Sequence, residues 1–247
     1  MNPSITGEPN DLPRRAALFI GTAVLIMLAL PGQAETGWGS YGASPGGGHY
    51  APLAEITPGN VNQLEVAWQH RSGDFRPARK GREGAVFGDV DGPRPQSSFQ
   101  ATPIFANGSL YYCTPFNRVF ALDPVTGKER WVFDPGIDMS KQSLTNCRAV
   151  SSWTDPDRPT GAACAHRFIL GTLDARLIAL DGRTGARCDD FGDKGEIDIS
   201  AGMSAHKPGD YNLTSPAAVL GDTLNIGSRV IDSLRKDVPA GVARAYD

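Results

Sequence analysis

The sequence predicts an all-β chain of repeated antiparallel units, of the kind that stack radially into a β-propeller. Three observations predict it. The phrase Ala121-Leu122-Asp123-Pro124-Val125-Thr126-Gly127-Lys128-Glu129-Arg130-Trp131 recurs as Ala179-Leu180-Asp181-Gly182-Arg183-Thr184-Gly185-Ala186-Arg187-Cys188, and Ala245-Tyr246-Asp247 opens a third copy. Self-similarity at this period marks an array of supersecondary units. Of the 247 residues, 29 are Gly and 19 are Pro, above the usual combined share of about 12% and suited to many turns. Short runs rich in Val, Ile, Tyr and Phe lie between those turns, as in strands. Units that each expose an apolar sheet face must stack on neighbours, and radial stacking satisfies all of them.

Residues 1–34 read as a secretory signal or a membrane anchor. Arg14 and Arg15 precede an apolar run from Ala16 to Leu30, Pro31 ends it, and Gly32-Gln33-Ala34 supplies small residues for cleavage. The run is short for a spanning helix, which takes about 20 apolar residues. Export agrees with the four cysteines, Cys113, Cys147, Cys164 and Cys188, which allow three disulfide pairings. There is no C-x-x-C pair to suggest zinc. A net charge of −3 without a basic stripe gives no reason to expect nucleic acid.

From residue 35 the chain reads as one body. Residues 35–60 are a Gly- and Pro-rich lead-in expected to pack Trp38, Tyr41 and Tyr50 on that body without regular structure. Leu64 to Trp68 alternates as a short strand, and 71–96 reads as a long polar loop. The first unit takes strands at Thr102–Phe105, Leu110–Cys113, Arg118–Leu122 and Arg130–Phe133, with turns at Asn107-Gly108 and Asp123–Gly127. The second takes Arg167–Thr172 and Arg176–Leu180 before the turn Asp181–Gly185, and the third takes Thr223–Gly227 and Gly241–Tyr246. In the phrase, Asp accepts from backbone N–H groups two residues on, Gly supplies positive φ, and Trp is a flat apolar anchor. His49, His70, His166 and His206 are scattered and read as surface or loop residues. No dinucleotide, phosphate-loop or nucleophile-elbow motif is present.

The repeated phrase resembles the tryptophan-docking motif of pyrroloquinoline quinone (PQQ) dehydrogenases, and the resemblance runs from Trp38 to Asp247. It is closest to the membrane-associated glucose/quinate branch. The carriers are Trp38-Gly39-Ser40-Tyr41-Gly42, Tyr50-Ala51-Pro52-Leu53, Ile56 to Val61, Thr102-Pro103-Ile104, Cys147 to Ser151, Lys207 to Tyr211 and Thr214-Ser215-Pro216. The resemblance implies an eight-bladed quinoprotein propeller when complete, with only two to three blades here. It implies PQQ on the axis beside Ca2+ or Mg2+, a sugar or cyclic polyol substrate (glucose, quinate or shikimate), and ubiquinone or a cytochrome as acceptor. The implied location is periplasmic, at the inner membrane.

Carried over by residue, Arg148 matches the arginine that pairs with a PQQ carboxylate, and Thr214 matches a hydroxyl that bonds the cofactor. Asp232 matches the first acidic ligand of the cation. Gln100 stands where many relatives carry a cofactor-contacting Glu, Ser233 where the glucose branch has an Asn ligand, and Leu144 where it has a His. The catalytic Asp and the Lys over the quinone are expected beyond residue 247, so the chain is expected to be an open wedge, inactive alone. Two alternatives differ in class or branch. A non-enzymatic outer-membrane assembly propeller would need a lipobox Cys. A soluble methanol/ethanol-type enzyme would need adjacent cysteines, a pair that Asn146-Cys147 breaks.

Overall fold

The computed structural model describes residues 38–44, 46–74, 96–142, 144–204, 206–231 and 236–247. The expected leader, most of the expected 71–96 loop, and Asp232 with Ser233 lie outside them. Among the described residues there is no α-helix and no helix long and apolar enough to cross a membrane.

After β1 (Gln96–Ser97) the first blade is a four-stranded antiparallel meander of β2 (Ile104–Ala106), β3 (Ser109–Cys113), β4 (Val119–Leu122) and β5 (Glu129–Phe133). Following β6 (Leu144–Thr145), the second blade repeats the order with β7 (Ser151–Thr154), β8 (His166–Gly171), β9 (Arg176–Asp181) and β10 (Glu196–Asp198). After β11 (Tyr211–Asn212), β12 (Ala218–Leu220) pairs with β13 (Thr223–Gly227), and that strand pairs with β15 (Ala243–Tyr246) in a three-stranded third blade. β14 (Arg229–Val230), between them in the chain, pairs with β11 instead. Two to three blades were expected, and this is the arrangement found.

Period-2 alternation lets the middle blade serve two neighbours at once. Phe168 and Leu170 of β8, with Ile178 and Leu180 of β9, join Ile104, Tyr111, Val119 and Ala121 in the core between the first two blades. The intervening residues Ile169, Leu177 and Ala179 face the other way and join Leu213, Leu224 and Ile226 between the second and third. Strands buried on both faces read as continuous apolar runs, which is why these were legible in sequence.

The turn of the repeated phrase has the expected chemistry. Asp123 Oδ1 accepts from Val125 N (3.1 Å), Thr126 N (2.9 Å) and Thr126 Oγ1 (2.9 Å). Asp181 Oδ1 accepts the same set from Arg183 N and from Thr184 N and Oγ1 at 2.8–3.0 Å. Gly127 and Gly185 close the turns at φ 70° and 73°. Each also forms a seat. Trp131 lies so close over Gly185 that an added Cβ would meet its ring at 2.6 Å, and its Nε1 donates to Gly182 O at 3.1 Å. Trp68 repeats the contact on Gly127, with Nε1 donating to Pro124 O at 3.0 Å.

Three expectations change, and the open cysteine pairing is decided. Leu64–Trp68 forms no ladder among the described residues, because alternation favours an extended chain but a strand needs a paired neighbour; the segment instead docks Trp68. Of the lead-in aromatics, Trp38 packs on the core between the first two blades, whereas Tyr50 and Tyr41 are exposed, the latter with its ring edge-on to His49. The backbone there is pinned by Phe105 N donating to Trp38 O (2.8 Å) and Ser152 Oγ donating to Gly39 O (2.6 Å). His70 is not a surface residue: it is largely buried, hydrogen-bonded to the Tyr112 hydroxyl at 2.5 Å and to Glu129 Oε1 at 2.7 Å. Burial, and then the Glu129 charge, raises the Tyr112 hydroxyl above its ordinary range. Of the three possible cysteine pairings, Cys113–Cys147 and Cys164–Cys188 form.

Gly185→Ala should lower stability by about 2 kcal/mol, since it forces a left-handed conformation and lifts Trp131 from its seat. For a body of this size that is a fall in Tm of roughly 4–8 °C, read by circular dichroism; an unchanged Tm would refute the docking argument. Asp123 offers a second test. Its bond to Arg130, followed by those from Thr126, brings the carboxyl down to about 2. A lowered folded value gives stability that is complete above about pH 4 and lost as pH falls through 2. Asp123→Asn should therefore melt below wild type at pH 7, with the gap closing toward pH 2. A gap independent of pH would assign the effect to something other than ionisation.

Candidate functional site

Three segments enter the inner strands of the three blades and meet at one place. Thr102, before β2, donates its N–H to Arg148 O (2.7 Å), and Arg148, before β7, donates its N–H to Thr214 O (3.0 Å), which precedes β12. This backbone chain identifies β2, β7 and β12 as the axial strands. β1 runs parallel to β6 beside it, with Ser97 opposite Thr145, and Ser98 N donates to Thr145 O at 2.9 Å. Cys147, 2% exposed, ties the same row to the end of β3 through Cys113.

The side chains along the row are polar. Asn146 Nδ2 donates to Gln100 Oε1 at 3.0 Å. Arg148 Nη1 donates to Thr214 Oγ1 at 2.6 Å and to Ser215 Oγ at 3.3 Å. Asn146 is 3% exposed and Thr214 8%, Arg148 is half-buried, and Gln100 and Ser215 are exposed. Arg148 has no carboxylate partner among the described residues; its side-chain acceptors there are two neutral hydroxyls. The Oδ1 of Asn146 is buried with no hydrogen-bond partner. A half-buried guanidinium held by neutral hydroxyls is a site with positive charge to spare. Its geometry suits a bidentate anion such as a carboxylate, so the donor set fits an acidic cofactor.

The structure brings Gln100, Arg148 and Thr214 into one row. Asp232 lies outside the described residues, and among those described no three His, Cys, Asp or Glu side chains gather as a metal site. Asn146 and Ser215 belong to the row and were not singled out from the sequence. The available signal was their position, each directly beside a recognised motif residue at the entry to an inner strand. On the same face, a cavity of about 450 Å3 lies between the 138–142 and 206–211 segments, with Asp138, Asp174, Gln142 and Lys207 in its walls.

Residues 38–247 match the family model for the PQQ-type glucose/ethanol/alcohol dehydrogenase β-propeller domain. The chain is 34% identical over 232 residues to quinoprotein glucose dehydrogenase A of Acinetobacter calcoaceticus, covering 89% of this chain and 27% of that protein. It is 32% identical to the glycerol dehydrogenase large subunit of Gluconobacter oxydans (97% and 29% covered) and 30% identical to the quinate/shikimate dehydrogenase (quinone) of Acinetobacter baylyi (96% and 29%). Among solved structures it is similar to quinohemoprotein alcohol dehydrogenases. That of Comamonas testosteroni has a TM-score of 0.61 at 22% identity, covering 86% of this chain and 25% of that one. That of Pseudomonas putida has 0.60 at 26%, with the same coverage. The first of these supports the fold alone. The chain thus spans between a quarter and three tenths of the length of these relatives.

Proposed function

Because the chain belongs to the PQQ glucose/ethanol/alcohol dehydrogenase β-propeller family, we propose that it supplies the opening blades of a PQQ-dependent dehydrogenase that oxidises a sugar or polyol. The observation that carries the reading is Arg148, a half-buried cation whose acceptors are the hydroxyls of Thr214 and Ser215. In this reading Arg148 takes a carboxylate of PQQ, Thr214 fixes the guanidinium and offers its hydroxyl to the cofactor, and the Gln100–Asn146 pair lines the same edge. Asp232 would be the first acidic ligand of a Ca2+ or Mg2+ ion, hard cations that prefer carboxylate oxygen. When bound, the quinone supplies an acceptor for the two electrons that leave a CH–OH carbon, and the cation sharpens that acceptor as a Lewis acid. In this reading the residues of this chain bind and orient, and the group that takes the substrate proton would come from later blades of the family's propeller.

Glucose, glycerol and quinate or shikimate, the substrates in the relatives' names, all present adjacent hydroxyls. The cavity between the 138–142 and 206–211 segments offers carboxylates and an amide that can accept from hydroxyls. Leu144 replaces the His of the glucose branch and Gln100 the Glu of many relatives, so the reading takes in quinate and other polyols as well as glucose. Electrons would pass to ubiquinone or a cytochrome. Residues 1–34 would export the chain to the periplasm, or hold it at the inner membrane through 16–30.

The test is PQQ binding by calorimetry on the purified chain, with wild type binding and Arg148→Ala weaker by about 10- to 100-fold. That range corresponds to about 1.5–3 kcal/mol for a hydrogen bond to a charged group. Arg148→Lys should fall between them, keeping charge but losing the fork. Equal affinity for wild type and Arg148→Ala would refute the assignment. Dye reduction with PQQ, Ca2+ and glucose should be absent for this chain alone, and turnover would contradict the placement of the proton acceptor in other blades.

A further inference from the structure

We propose that the Cys113–Cys147 disulfide is a positioning element for Arg148 and Asn146, so that the anion-binding row is assembled only in the oxidised protein. The inference rests on the reading of that row as the cofactor's carboxylate site.

Cys147 stands between Asn146 and Arg148, and its partner Cys113 ends β3, inside the packed first blade. Both cysteines are buried in the core shared by the first two blades. The described residues of 134–150, which leave β5 and return to β7, carry only a 3-10 turn at Met139–Lys141 and the two-residue β6 as regular structure. Among the described residues β6 pairs only with β1, which is equally short. Besides the disulfide, the row's backbone is held by hydrogen bonds from Ser98 N to Thr145 O, from Thr102 N to Arg148 O and from Arg148 N to Thr214 O, and its side chains by those from Asn146 to Gln100 and from Arg148 to Thr214 and Ser215. Each such bond is a modest net stabiliser, and each runs to another entry segment rather than to a strand interior. Of these restraints, the disulfide is the covalent one that ties the row to a rigid sheet. Binding groups keep their affinity when supported in this way by a rigid element.

The other disulfide provides an internal control. Cys164–Cys188 closes a hairpin within the second blade, and its cysteines belong to the core on the opposite face of that blade. Removing either pair should reduce general stability, but removing Cys113–Cys147 alone should loosen Arg148.

The experiment compares the full chain with its Cys113→Ala/Cys147→Ala and Cys164→Ala/Cys188→Ala variants, below their melting temperatures. Hydrogen exchange reads the Arg148 amide, which donates to Thr214 O, and calorimetry reads PQQ binding. The proposal expects at least tenfold faster exchange at Arg148 and about tenfold weaker PQQ binding in the first variant only, a size usual for the loss of a supporting contact. Unchanged Arg148 exchange in the first variant, or equal acceleration in both, overturns it. If exchange accelerates selectively but wild type and Arg148→Ala bind PQQ alike, the positioning stands and the cofactor reading fails. If Arg148→Ala abolishes binding while the first variant binds as wild type does, the cofactor reading stands and the positioning fails. Should the first variant not fold, the single Cys113→Ser and Cys147→Ser variants give the same comparison.

Discussion

The structure depends on a flat indole resting on a bare peptide. Trp68 covers the turn of the first blade and Trp131 covers that of the second, each on a glycine whose missing side chain leaves the space. A sheet face buries apolar area without caring much about rotation, because hydrophobic contact is non-directional. The indole adds direction. Its ring requires a seat with no Cβ, and its N–H requires one particular carbonyl, Pro124 O or Gly182 O. At Trp131 these fix how the first blade meets the second.

Fixed blade geometry is what assembles the polar row. Gln100, Arg148 and Thr214 are far apart in sequence and sit on three separate entry segments. They meet because the docked blades bring β2, β7 and β12 side by side, where Thr102, Arg148 and Thr214 can join by backbone hydrogen bonds. The contact that orients the blades therefore acts at a distance on the site. Asp123 and Asp181 shape the turns on which the indoles rest, and Asp181 also accepts from Cys164 N at 2.6 Å. Burial alone would raise the Asp181 carboxyl, but the bonds from Cys164, Thr184 and Arg183 outweigh it and keep it low.

The second interface is built differently. The phrase at 179–188 lacks its tryptophan, and Cys188 stands one place before that position. In compensation, Leu213 packs against Gly171, where an added Cβ would lie 2.8 Å away, and Leu213 N donates to Thr172 O at 2.9 Å. Arg244 reaches across to Ile199 O at 2.8 Å and Ala201 O at 3.1 Å. Cys188 itself bonds back to Cys164 within its own blade. One architecture thus joins its blades by an indole in one place and by aliphatic packing and a guanidinium in another.

The sequence by itself determined the blade. Its repeat period, its Asp and Gly turn residues and its alternation are local properties, because turn chemistry and side-chain direction act over a few residues. Local reading failed where pairing decides: Leu64–Trp68 has a strand pattern but no ladder, and the two-residue strands β1, β6, β11 and β14 carry no pattern at all. Arg148, Thr214 and Gln100 were legible only as motif residues, one at a time. That they form one row, that Asn146 and Ser215 belong to it, and which cysteines pair were decided by tertiary structure. Those facts depend on distances between segments, which follow from how the blades dock and not from any residue's own neighbours.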